Sequence, residues 1–131
     1  MNLFAYGTLC VPQVMRAVVG RELEGSPAIL EQYRRRLISG CVFPGIIAAP
    51  GEEVAGTLFL DLDAATMARL DAYEASFYER RTVSVRVLGG PEDKLVSAEV
   101  YVLPASEAWR LSDDAWDEAV FIRDELPTYL Q

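Results

Sequence analysis

Apolar residues recur along this chain with two periods, and the switches between them outline its elements. Residues 2–6 form a short apolar run that reads as a strand, broken by Gly7-Thr8. Pro12 suits a first helical turn, Val11, Val14, Met15, Val18 and Val19 share one helix face, and Gly20 ends the pattern. Residues 28–39 read as a long strand, and residues 40–51, with Phe43-Pro44-Gly45 and Pro50, as a loop. Residues 53–62 return as a strand with Val54, Gly56, Leu58, Leu60 and Leu62 on one face. Ala55 and Phe59 on the other predict that both faces are partly covered. Residues 78–88 and 95–103 alternate on either side of the turn 89–93. Val83, Val85 and Val87 on one arm and Val96, Ala98, Val100 and Val102 on the other predict a hairpin. Residues 113–125 read as a helix with acids in its first turn and an edge of Trp116, Ala119 and Val120, stopped by Pro127.

Between the second long strand and the hairpin lies a helix that Asp63 is placed to cap. Met67, Leu70, Glu74 and Phe77 follow at steps of three, four and three, which puts them on one helix face. An acid thus stands inside an apolar stripe. Two readings remain open: Glu74 caps the last turn in water, or it faces the interior. In the second case desolvation raises its pKa and makes it a proton shuttle near neutral pH.

The corner at Gly7 invites a second pair of readings. A strand, a glycine turn and a helix start present several backbone N–H groups together, and a carboxylate or developing oxyanion could bind there. Such corners also serve simply as connections. Gly7 is expected to take a positive φ. The run Arg34-Arg35-Arg36 reads as a solvated strand end.

Composition narrows the chemistry. The 131 residues suit one domain spanning residues 1–131, and 51% apolar residues can support a core. A net charge of −8 would repel a nucleic-acid backbone or an anionic membrane, so neither is an expected partner. No apolar run approaches ~18 residues, the N-terminus lacks a basic leader, and Arg16 interrupts any apolar region there. Cys10 and Cys41 could pair only by the geometry of the fold, and a reducing cytoplasm is the expected compartment. Histidine is absent, which removes Ser-His-Asp and Cys-His catalysis and the commonest transition-metal ligand. Acid–base chemistry must then use carboxylates, Tyr, Lys or Cys. Zinc-spaced cysteines and glycine-rich nucleotide loops are missing too, so neither metal nor nucleotide is expected.

Phe4-Ala-Tyr-Gly-Thr-Leu9, Leu70-Asp-Ala-Tyr-Glu74 and Tyr78-Glu-Arg80 together resemble the gamma-glutamylcyclotransferase-like (AIG2-like) family. The tyrosine in Val100-Tyr-Val102, the Tyr33-Arg34 pair and Phe43-Pro44-Gly45 agree with that pattern, over nearly the whole chain. Two positions depart from it: Ala75 and Gln32 stand where relatives often have glycine. The resemblance implies an α+β fold, a small, mostly antiparallel β-barrel flanked by helices, with a pocket between the YGTL loop and the glutamate. It implies a cofactor-independent reaction on a small-molecule gamma-glutamyl substrate, whose α-amine attacks its own side-chain carbonyl to give 5-oxoproline and a free amine. Glu74 would be the general acid and base, and Tyr6, Gly7, Thr8, Leu9, Tyr78, Arg80 and Tyr101 would bind substrate. A non-catalytic small-molecule sensor on the same fold, or another amide-cleaving or transferase activity at Glu74, are the alternatives. A monomer or homodimer is expected.

Overall fold

The structure, a computed structural model, describes residues 1–90 and 92–130. Its strands are β1 (Leu3–Ala5), β2 (Gly25–Leu37), β3 (Pro44–Phe59), β4 (Glu79–Val87) and β5 (Lys94–Val102). They close into a barrel in the order β1-β3-β2-β4-β5. The pairings are antiparallel except where β1 meets β5. Helix α1 (Pro12–Val19) follows β1 after a 3-10 turn, Thr8–Cys10, and α2 (Ala64–Tyr73) links β3 to β4. The C-terminal helix runs Glu118–Val120, then a π turn Phe121–Glu125, then Leu126–Tyr129.

The barrel has an inside and a covered outside because strand residues alternate. Phe4, Leu30, Ile46, Val54, Leu58, Val85, Val100 and Val102 fill the interior. Leu3, Ala5 and Phe59 instead pack with Val14, Met15, Met67, Leu70 and Phe121 of the helices. β1 lies hard against β3: a Cβ on Gly56 would come within 2.2 Å of the Ala5 carbonyl and 2.7 Å of the Phe4 ring.

The hairpin β4–β5 forms as its alternation predicts, with Val83 opposite Ala98 and Val85 opposite Val96. Pro91 of its turn lies outside the described residues. Three other expectations are corrected. Residues 44–51 are strand, not loop: Pro44 through Ala48 pair with Leu37 through Tyr33. Pro50 is tolerated because it falls in the register break between Ala48 and Glu53, opposite the bulge at Gln32, where no ladder bond is required. β3 ends at Phe59, and Leu60 is 51% exposed, because Asp61 turns the chain with φ 56°.

The third concerns the tail. Residues 113–117 are not helical, because this stretch is engaged with the end of β2. Leu37 N–H donates to the Asp114 carbonyl at 2.8 Å, and Ser112 N–H to the Leu37 carbonyl at 2.9 Å. The helix starts only at Glu118, with Asp117 accepting from Val120 N–H at 3.1 Å. Pro127 does not stop it. The proline opens the last α segment just after the π turn, at a position where a missing N–H is tolerated.

Candidate active site

Two chain corners face each other across the mouth of the barrel. The first follows β1. Gly7 has φ −133°, so the expected positive φ is not there. Glycine fits for another reason: a Cβ would stand 2.8 Å from Cγ of Pro44. The corner also does not lead straight into a helix. The 3-10 turn Thr8–Cys10 intervenes, and α1 starts from Val11, so the free N–H groups near Gly7 belong to the tight turn.

The second corner ends α2. Asp63 caps its start, accepting from Thr66 N–H at 2.8 Å. Its last residue is Tyr73, and Glu74 has left the helix for extended geometry (φ −69°, ψ 145°), its N–H still donating to the Leu70 carbonyl at 3.2 Å. The helix therefore ends before the periodic stripe does, and Phe77 falls beyond it, outside the set of residues that line the cavity with Glu74. Its ring lies 4.9 Å from Tyr78 and 6.5 Å from Phe43, with the Arg110 guanidinium 4.4 Å above it.

Between the corners is a cavity of about 130 Å³. It gathers Tyr6, Gly7, Thr8, Leu9, Glu74, Tyr78 and Tyr101, all proposed from sequence. Arg80 lies elsewhere. It lines an adjoining groove with Asp71 and Ser76, and Glu74, Tyr78 and Tyr101 border both spaces. Arg80 is held there by Asp71 at 2.8 Å and Glu99 at 3.3 Å.

The carboxyl of Glu74 is raised to about 7, first by burial and second by the negative charge of Asp71. Among the described residues, no hydrogen-bond donor reaches its oxygens. Glu74 thus holds its proton to a higher pH than an ordinary carboxyl, and it combines parts of both sequence readings: it closes the helix as its C-cap, half-buried, and lines the cavity. Around it stand hydroxyls. Tyr6 donates to the Tyr101 carbonyl (2.7 Å), Tyr78 to the Pro44 carbonyl (2.6 Å), and Tyr101 to Asp71 Oδ1 (2.7 Å). Burial holds the pKa of each of these phenols above its usual value, so they act as neutral donors.

The sequence reading missed several of the site's residues. Tyr73 bonds the Thr8 hydroxyl at 2.7 Å and also the hydroxyl of Tyr129. Tyr73 belongs to the Leu70–Glu74 motif, which was its available signal; Tyr129 lies beyond Pro127, where the helix was expected to have ended. Arg35 is not a solvated residue. It donates to the Tyr6 carbonyl at 2.6 Å and lies 5.6 Å from the centre of the Trp116 ring, bracing the first corner from outside. Its neighbour Arg34 does pair at the surface, with Glu52. Cys10 and Cys41 are free thiols. Burial raises that of Cys10 to about 11, so it remains a protonated donor to the Ala5 carbonyl. Among the described residues no helix is long and apolar enough to cross a membrane.

Comparison with known proteins now adds to the geometry. The sequence model of the family described as "Gamma-glutamyl cyclotransferase, AIG2-like" matches residues 3–118. AIG2-like protein D of Arabidopsis thaliana is 30% identical over 121 residues, covering 88% of this chain and 75% of that protein. Protein AIG2 C of the same plant is 30% identical over 101 residues, covering 77% of this chain. The chain spans only 61% of that relative's length. A solution structure of an Arabidopsis thaliana protein superposes with a TM-score of 0.71 at 26% identity, covering 98% of this chain and 76% of that one. A structure titled gamma-glutamyl cyclotransferase has a TM-score of 0.67 at 17% identity, covering 79% of this chain and 66% of that one, a likeness of fold.

Proposed function

The chain belongs to the gamma-glutamyl cyclotransferase, AIG2-like family, and from that premise we propose that it releases 5-oxoproline and a free amine from a gamma-glutamyl amide. The observation that carries this reading is the Glu74 carboxyl, raised to about 7 and facing the cavity. The reaction needs no external nucleophile. The substrate's α-amine attacks its own side-chain carbonyl carbon, a C–N bond closes the five-membered ring, and the amide C–N bond breaks. A group that holds the substrate curled makes this step effectively unimolecular, which accounts for much of the rate.

Two proton transfers remain. Glu74 in its ionised form takes the proton that the attacking nitrogen must lose, and then gives it to the departing amine. A carboxyl poised near neutrality does both well, whereas one near 4.5 would be a weak base. The backbone N–H groups of Gly7 to Leu9 supply donors for substrate oxygens, while the hydroxyls of Tyr78 and Tyr101, whose protons go to Pro44 and Asp71, present acceptor oxygens to substrate N–H groups. The proposed path for the amine portion is the adjoining groove that Arg80 lines, which shares Glu74, Tyr78 and Tyr101 with the cavity.

Incubation with a panel of gamma-glutamyl amines tests the reading, with 5-oxoproline and the free amine measured together. Equimolar release of the two is expected from at least one member. Release of free glutamate instead would indicate hydrolysis at the same site. Saturable binding without any turnover would identify a non-catalytic binding module.

A further inference from the structure

The family match stops at residue 118, yet the cavity is lined in part by the segment that follows. Tyr129 reaches the cavity wall from the last turn of the C-terminal helix. The helix is anchored by Phe121, 2% exposed, whose ring meets Tyr129 edge-on at 5.1 Å and Trp116 at 5.9 Å. An anchored aromatic could be packing alone. The hydrogen bonds argue otherwise.

Thr8, Tyr73 and Tyr129 form a chain of three hydroxyls, each lining the cavity. Three hydroxyls carry three protons, and the two bonds between them use two. Among the described residues no acceptor takes the third. One of the three hydroxyls therefore has an O–H left over, and it is Tyr129 that holds it when Thr8 donates to Tyr73 and Tyr73 to Tyr129; what that O–H lacks is an acceptor oxygen. Burial keeps Tyr73 from ionising, so the chain stays a donor across the physiological range. Among the described residues no Arg or Lys lines the cavity, so an anionic group inside it is held by neutral donors, the backbone N–H groups of Gly7 to Leu9 and this chain of hydroxyls. The negative charge of Glu74 also disfavours an anion at its own side of the cavity.

Resting on the cyclotransferase reading, we infer that the C-terminal helix is part of the binding site and that Tyr129 donates a hydrogen bond to the substrate's α-carboxylate. Tyr73 is the positioning residue behind it, ordering the chain from Thr8 so that all three protons run toward the anion. The α-amine and the side-chain carbonyl are then left free to meet beside Glu74.

The test uses the full chain and two ring compounds, 5-oxoproline and 2-pyrrolidone, which is the same lactam without the carboxylate. Binding is measured by calorimetry, so no turnover is needed. Tyr129→Phe keeps the ring packing on Phe121. It is expected to weaken 5-oxoproline about tenfold or more, as loss of a hydrogen bond to a charged group does, and to leave 2-pyrrolidone unchanged. Tyr73→Phe should weaken 5-oxoproline by a smaller factor and serves equally if Tyr129→Phe folds poorly. Unchanged 5-oxoproline binding in either folded variant, or equal weakening of both rings, would overturn the inference and leave the cyclotransferase reading intact. If the wild-type protein bound neither ring and released no 5-oxoproline from any gamma-glutamyl amine, the functional reading would fall and this inference with it.

Discussion

The two sides of the barrel wall are built for different work, and β1 belongs to both. Phe4 points inward to an interior that is aliphatic apart from Phe4 and partly buried rings, with Tyr6 at its edge as the exception. Leu3 and Ala5 point outward to the helices, where tyrosines, Trp116 and polar groups share the space. Interior side chains each contribute roughly 1.5–3 kcal/mol on burial, and none of them is ionisable except through Tyr6 and Tyr33 at the rim. At the mouth, between the two sides, the fold half-buries the Glu74 carboxyl, to which no side chain or N–H among the described residues donates. The difference teaches where to look for chemistry in this fold: at the place where burial works against stability.

The largest expected effect breaks the comparison at that place. Glu74→Gln is nearly isosteric but cannot take a proton, and should lower turnover ~10²–10⁴-fold. It should also stabilise the protein. The folded-state pKa is raised from 4.5 to about 7, so between those values the folded chain holds a proton that the unfolded chain releases. Stability therefore falls as pH rises through that window, and the full penalty stands above pH 7. Removing it should be worth on the order of 2 kcal/mol there, allowing for partial solvent screening, and nothing near pH 4. Thermal melts of both proteins from pH 4 to 9 check the sign. In the wild type, kcat/KM should fall on the acidic side through about 7 as the base is protonated. A variant that melts below the wild type at pH 8 would show that the carboxylate is stabilised rather than strained.

The opposite signature is expected inside the barrel. Leu30 is 2% exposed in the interior cluster and is not itself among the residues that line the cavity. Leu30→Ala should lower stability by about 2–5 kcal/mol, while turnover per folded molecule stays within about twofold. Denaturant melts and rates measured well below the transition separate the two quantities. A large loss of turnover in a fully folded variant would mean that interior packing sets the geometry of the mouth, and the division between the two sides would dissolve.

How much of this was legible in the sequence follows the same division. The hairpin β4–β5 could be read residue by residue, because one face of each strand is buried and the alternation is clean. The Gly7 corner was legible as a break in the apolar run and Glu74 as an acid inside an apolar stripe, and the family pattern coincides with both. Partnerships across long sequence distances were not legible. Arg35 sits in a basic run that looks solvated, and only folding brings it to the Tyr6 carbonyl. Residues 44–51 carry two prolines and two glycines, and only the bulge in β2 makes a strand of them possible. Tyr129 stands beyond a proline that local rules take for a stop, and a π turn carries the helix through. Phe77 fitted the helical stripe, but the helix had ended at Tyr73.

The smallest effect sharpens the comparison at that bulge in the wall. Gln32 has φ 71°, a left-handed conformation that a Cβ disfavours by roughly 1–2 kcal/mol. Its side chain offers a partial offset, accepting from the exposed Gly51 N–H at 3.0 Å. Gln32→Gly relieves the backbone but frees the unfolded chain, which opposes the gain by ~0.5–1 kcal/mol. The exposed N–H of Gly51 can turn to water, so losing the bond matters little. The balance predicts a stability between unchanged and about 1 kcal/mol higher, with turnover unaffected because the bulge is not part of the cavity. Gln32→Ala keeps the disfavoured backbone and loses the hydrogen bond, so it should fall below both. Gln32→Val adds a β-branched side chain and should be lowest of the four proteins. Denaturant midpoints at pH 7 give the order. If alanine proved as stable as glycine, the left-handed turn would not be what distinguishes this position, and the bulge would owe its place to the pairing of β2 with β3 alone.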